Sequence, residues 1–160
     1  MAKRKLNEDD KGEPRRVDVQ LLIRHPTMNP AEITAALGIE PLISLGVGQP
    51  RRGFNGKLLG GTYRFTAWRH SIRYELSAQW FADKITMLVD RLLPHEAFLL
   101  NLRATGGKAE ISVTFFSDGH LGDNVPIETL AKMADLQLDF GIECFVVPQS
   151  DSLHRSVELD

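Results

Sequence analysis

Apolar and polar positions along the chain follow two rhythms. Phe81, Ile85, Leu88 and Leu92 stand at helical spacing, with Ala82, Val89 and Leu93 flanking the stripe and Asp83, Lys84, Thr86, Asp90 and Arg91 opposite it. That spacing predicts a long helix over Ser77–Leu93, with the Ser77 hydroxyl capping the first turn and Pro94 ending the last. Burying one leucine of such a stripe is worth about 2 kcal/mol, which outweighs propensity differences of a few tenths per residue. Period-two alternation marks the strands. Val17, Val19, Leu21 and Ile23 alternate with Asp18, Gln20 and Arg24. Tyr63, Phe65 and Ala67 share one side of Thr62–Trp68, and Ile72, Tyr74 and Leu76 resume the alternation after the polar break Arg69-His70-Ser71. One bent strand, two strands, or a strand with an extended lead-in all fit that stretch. Ala97–Arg103 alternates through Phe98, Leu100 and Leu102, then Thr105-Gly106-Gly107-Lys108 predicts a hairpin turn. The return strand carries Ala109, Ile111, Val113 and Phe115, and a last strand carries Leu138, Phe140, Ile142, Cys144 and Val146.

Two shorter helices complete the pattern. Asn29-Pro30-Ala31-Glu32 has the cap, the N1 proline and the reciprocal glutamate of a helix start, with Ile33, Ala36 and Leu37 as its buried stripe and Gly38 as its stop. Pro126–Leu136 is expected to bury Ile127, Leu130, Ala131 and Ala134. Glu40–Gly61 holds six glycines and two prolines in 22 residues and predicts a long loop. These elements make an α+β domain: an antiparallel five-stranded sheet with three helices on one face. Its last six elements form a ferredoxin-like β-α-β-β-α-β core, preceded by an extra β-α unit. The domain spans residues 15–147, between a disordered tail at 1–14 and a poorly ordered stretch at 148–160.

Composition changes this picture little. The hydrophobic fraction of 42% and charged fraction of 25% suit a globular domain. Net charge is −2, but it is unevenly placed: residues 1–80 carry 13 Lys and Arg against 8 Asp and Glu, and residues 81–160 carry 6 against 13. Such asymmetry can steer a partner, or simply solvate opposite ends of the domain. The single cysteine excludes an internal disulfide and fits a reducing compartment. Lys3, Arg4 and Lys5 lack a following apolar segment, so no signal peptide is read, and no run of 18 apolar residues predicts a membrane span. The expected location is the cytoplasm.

Some short stretches are familiar together. Pro30-Ala31-Glu32-Ile33-Thr34, then Leu37-Gly38-Ile39-Glu40-Pro41, lead into the Gly-rich basic loop. Trp68 then precedes a helix ending Leu92-Leu93-Pro94. A Leu130–Leu136 helix runs into the final strand. Over Val17–Val147 this resembles a bacterial family of domains of unknown function, number 4279. The resemblance implies a small cytoplasmic α+β domain without agreed activity, and it carries over no catalytic residue.

Chemical signatures are sparse. His25, His70, His95, His120 and His154 are scattered, so no metal site and no cofactor is predicted. Asp118-Gly119-His120…Asp123 lacks the ligand spacing of a calcium loop and reads as a polar turn. Ser44 lacks the preceding glycine of a nucleophile elbow, and Cys144 falls on an apolar strand face, where a core thiol is expected. No catalytic residue is assigned, and the sequence leans away from an enzyme. Gly46–Gly53, with Arg51 and Arg52, could wrap an anion, although it has no phosphate-loop ending. Nucleic acid is disfavoured, because Glu110, Ser112, Thr114, Asp139 and Glu143 occupy the sheet face turned away from the helices.

That open face also receives Leu22, Trp68, Leu99, Phe116, Phe145 and Val147 by parity. Arg24, Arg64, Arg103, Asp139 and Glu143 would ring them. An apolar centre with a charged rim has the anatomy of a protein interface. The competing expectation is that Glu40–Gly61 folds over it. The leading expectation is a non-enzymatic module that binds a protein partner or a second copy of itself, of immunity or regulatory type. The alternative is a small anionic ligand held by Arg51, Arg52, Arg69, His70 and Arg73 beside the basic loop, in a binding or enzymatic domain.

Overall fold

The computed structural model describes residues 16–53, 55–75, 81–117 and 122–146. The first strand, β1 (Arg16–His25), lies at the centre of the main sheet. Val17, Val19, Leu21 and Ile23 are fully buried on one of its faces, as their alternation requires. α1 (Pro30–Leu37) follows and starts as its sequence dictates. The Asn29 side chain accepts from the Ala31 amide at 2.9 Å, Glu32 reaches back to the Asn29 amide at 3.4 Å, and Gly38 closes the helix at a φ of 61°. Next come β2 (Ile43–Leu45), β3 (Pro50–Arg52), β4 (Leu58–Thr62) and β5 (Thr66–Glu75). A helical segment follows, α2 (Phe81–Leu92) and α3 (Glu96–Ala104), joined by a 3-10 turn over Leu93–His95. β6 (Lys108–Ser117), α4 (Ile127–Asp135) and β7 (Asp139–Val146) end the described chain.

The main sheet is ordered β2-β5-β1-β6-β7, and β3 and β4 form a separate two-stranded hairpin. The sheet is α+β and five-stranded, but it is mixed rather than antiparallel: β7 runs parallel to β6. Alternation reports a covered face and says nothing of direction. A helical crossover between neighbouring strands, here α4, returns the chain to the same end and makes the pair parallel. The second correction lies in Ala97–Arg103, which is helical. Leu99 and Leu102, three apart, are its buried positions, so the apparent alternation of Phe98, Leu100 and Leu102 is incidental. Pro94 sits in the first turn of the 3-10 segment, where its missing N–H costs nothing, so it redirects the helix instead of stopping the helical run. With no strand there, the hairpin of a ferredoxin-like core is absent, and three helical segments line the covered face. The fifth strand of the sheet is β2, from within the predicted loop Glu40–Gly61.

Residues at the α3–β6 junction pack closely. Gly107 donates to the Leu102 carbonyl at 2.8 Å, and a Cβ there would lie 2.7 Å from that oxygen and 2.6 Å from the His25 ring. His25 is buried, and its Nδ1 accepts from the Thr27 and Met28 amides at 3.1 and 2.8 Å. The proton therefore sits on Nε2, which donates to Thr105 Oγ1 at 2.9 Å. At its other end, α2 takes a tertiary cap: Asp123 accepts from the Ala82 amide at 2.9 Å. Ser77, expected to cap this helix, lies outside the described residues, as do both predicted tails, Leu76 and the Asp118-Gly119-His120 turn.

α4 is rotated from its expected setting. Thr129, Met133 and Leu136 face inward, while Ile127 is 72% exposed and Leu130, Ala131 and Ala134 are also exposed. The Thr129 hydroxyl meets that of Thr86 on α2 at 2.9 Å, and Lys132 pairs with Asp90 of α2 at 2.6 Å, which fixes this rotation. The helix ends in a left-handed Gln137 (φ 52°), with Gln137 donating to Ala134 and Leu138 to Met133. No helix among the described residues is long and apolar enough to cross a membrane.

Candidate functional site: the open face of the sheet

Side chains of alternate parity on β1, β5, β6 and β7 line a hollow of about 640 Å³ on the face away from the helices, and Leu42, just before β2, closes one side. Register sets its floor. Ser71, Gln20, Ser112 and Gly141 stand in one row across β5, β1, β6 and β7. These are small or uncharged polar residues, and Ser112 and Thr114 are buried. A Cβ on Gly141 would collide with the Glu110 carboxylate, so the missing side chain lets Glu110 lie across β7.

Charge is divided across the hollow. Arg24 stands directly opposite Lys108 on the neighbouring strand, and Arg69 is diagonal to Arg24, across from Leu22. On the β6–β7 side Glu110 is in register with Asp139. Arg103, from the end of α3, grips Asp139 with two hydrogen bonds of 2.6 and 3.2 Å. That hydrogen-bonded guanidinium holds the Asp139 carboxyl below the usual carboxylate range, and Arg103 is raised in return. At the far end the Arg16 guanidinium lies 3.9 Å from the centre of the Phe116 ring, and Phe116 stacks on Phe145 at 5.0 Å. Arg16 also pairs with Asp18 at 3.2 Å. The Nε atoms of Arg16 and Arg69 are buried and have no hydrogen-bond partner among the described residues.

Among the described residues, no histidine or cysteine lines the hollow. Among the described residues, no three His, Cys, Asp or Glu side chains gather as metal ligands. The family described as Domain of unknown function (DUF4279) matches residues 15–146. The chain belongs to that family. No curated protein and no solved structure matches it.

In this DUF4279 domain the residues expected at an interface are divided. Leu22, Phe116 and Phe145 line the hollow. Trp68 is 1% exposed on the opposite face, and its indole N–H donates to Thr34 Oγ1 of α1 at 3.0 Å. The cause is that β5 runs unbroken through Arg69-His70-Ser71, so Trp68, His70 and Ile72 share the covered face. Leu99 is buried on α3, and Val147 lies outside the described residues. Cys144 is exposed, not a core thiol, as are Phe140 and Ile142 on the same face of β7.

The five residues expected to hold an anion also separate. Arg69 lines the hollow, while His70 points to the other face, where Nδ1 meets the Glu40 carbonyl at 2.9 Å. Arg73 is opposite Asp18 in register, and its side chain is outside what is described. Arg51 and Arg52 are exposed on the hairpin, and Arg52 donates to the Gly56 carbonyl at 3.2 Å. The loop amides expected to wrap an anion are occupied: Gly46 donates to the Gln49 side chain, Gly48 to Tyr63 and Gly53 to Lys57. The sequence did not single out Gln20, Gly141 or the Arg24–Lys108 pairing. The parity of Gln20 and Arg24 was readable from β1, but their partners required the register.

Proposed function

We propose that this DUF4279 domain is a binding module that takes a small polar ligand with an anionic group into the hollow on the open sheet face. The observation that carries this reading is the gathering of Arg24, Arg69 and Lys108 at one end of the hollow. Arg24 and Lys108 support the same reading. Like charges directly opposite on neighbouring strands are destabilising, and an anion between them removes the repulsion. One carboxylate or phosphate group at this end would meet three cations, while Glu110 offers an acceptor to a donor group elsewhere on the ligand. Of the apolar centre expected for a protein partner, Trp68 and Leu99 lie in the core, while Leu22, Phe116 and Phe145 remain on this face.

The test is thermal shift and titration calorimetry of the full chain against inorganic phosphate, pyrophosphate, dicarboxylates and amino acids. Ligand at about 100 times its dissociation constant stabilises by about 2.7 kcal/mol. Arg69→Gln is expected to weaken binding about tenfold or more, equivalent to about 1.4 kcal/mol, and Arg51→Gln to leave it unchanged. Absence of stabilisation by every compound, or equal binding by Arg69→Gln, refutes the proposal. Loss of binding in Arg51→Gln alone would move the site to the hairpin.

A further inference from the structure

Edge strands of natural sheets are normally protected. They are short, or carry lysine, proline or a bulge that blocks pairing with another chain. β2, at one edge of this sheet, is three residues long. β7, at the other, is eight residues long, contains no proline, lysine or arginine, and keeps an unbroken register with β6. Among the described residues nothing pairs with its outer side. Among the described residues the layer of helices also stops short of it. Phe140 and Ile142 share a face with the buried Ile111 and Val113, yet they are 42% and 62% exposed, and Cys144 beside them is exposed too.

We infer that β7 is the strand through which two copies of this chain pair, antiparallel, about a dyad at Ile142. This inference does not depend on the ligand reading of the hollow. The occupant follows from the strand's own pattern. With Ile142 opposite Ile142, Phe140 falls opposite Cys144 in both directions, and all three apolar positions are covered by their own copies. Such self-complementarity is what a twofold contact demands. Charge selects the register. In the dyad at Ile142, Asp139 faces Phe145 and Glu143 faces Gly141, so neither carboxylate of one β7 stands directly opposite a carboxylate of the other. Shifting the dyad to Gly141 opposes Asp139 to Glu143, and shifting it to Glu143 opposes Glu143 to itself, both unfavourable. α4 adds to the surface. Thr129 and Lys132 turn toward α2, so at 100° per residue Leu130 lies on the opposite flank, away from α2, and it is exposed, as is Ile127.

The test is sedimentation velocity of the full chain from low micromolar to several hundred micromolar, with disulfide trapping. The expected result is a monomer–dimer equilibrium whose dissociation constant rises about tenfold or more in Ile142→Lys, with the thermal midpoint of the monomer unchanged because the residue is exposed. In a Cys144→Ser background, Ile142→Cys should oxidise to a covalent dimer and Glu143→Cys should not. Arg69→Gln should dimerise normally, which separates this contact from the hollow. A strict monomer over the whole range overturns the inference. So does a dimer that survives Ile142→Lys and is not trapped at position 142, since its contact then lies elsewhere.

Discussion

Trp68 offers the sharpest test of how the sheet is oriented, because its two possible faces predict stabilities that differ severalfold. Its ring is buried, and its Nε1 donates to Thr34 Oγ1 at 3.0 Å, while the Thr34 hydroxyl donates to the Pro30 carbonyl at 3.2 Å. Trp68→Ala should therefore cost about 3–5 kcal/mol, the range for emptying a large core site. On the open face it would cost no more than about 0.5 kcal/mol. The hydrogen bond can be isolated by a double-mutant cycle. Thr34→Ala orphans a buried indole N–H, at about 1–3 kcal/mol. Trp68→Phe removes the donor together with part of a buried ring, at about 1–2 kcal/mol. In the double variant no donor is left unpaired, so the two losses should sum to about 1 kcal/mol more than the observed loss. Urea unfolding followed by far-ultraviolet circular dichroism measures all four proteins. Additive losses, or a Trp68→Ala cost below about 1 kcal/mol, would refute the assignment of this face to the core.

Three further outcomes follow from local geometry. Gly107→Ala places a methyl group 2.7 Å from the Leu102 carbonyl oxygen, so it should lower stability by about 1–3 kcal/mol, read as a drop in urea midpoint with unchanged slope. Gln137→Gly relieves a left-handed φ of 52° and should raise stability by up to about 1 kcal/mol in the same measurement. Asp139 has its carboxyl lowered in the folded state by Arg103, so its stabilisation is full above the unfolded carboxylate pKa and is lost as pH falls through the lowered value. The pair is partly exposed, so the effect stays below about 1 kcal/mol. Asp139→Asn should flatten the acid side of the stability curve by that amount, and an unchanged curve would contradict the linkage.

Local chemistry was readable from the sequence where one pattern allowed one structure. Asn29, Pro30, Glu32 and Gly38 specify α1 because cap and stop depend only on neighbouring residues. β1 was equally plain, since four buried apolar side chains alternate with polar ones. Glu110, Ser112, Thr114, Asp139 and Glu143 were also placed on the correct face. What failed depended on tertiary context. Phe98–Leu102 satisfies both a strand and a helix period, and only packing of Leu99 and Leu102 decides between them. The polar run Arg69-His70-Ser71 reads as a break, yet a strand with one open face tolerates it, and the misread phase sent Trp68 to the wrong side. The candidate site was half legible. Parity gave its residues one by one, but the encounter of Arg24 with Lys108, or of Glu110 with Gly141, is a matter of register between strands far apart in the chain.

The position of β1 bears on how this protein is made. The earliest strand of the described chain occupies the middle of the sheet, and its neighbours are supplied much later: Arg16 meets Glu75 on one side and Phe116 on the other. As the ribosome extends the polypeptide, Val17 through Ile23 emerge greasy and unaccompanied, and neither flank closes until β5 and then β6 have been translated. A topology so rich in distant pairings folds slowly for its size. Nascent chains halted short of Phe116 should thus be the species that engage chaperones or clump together.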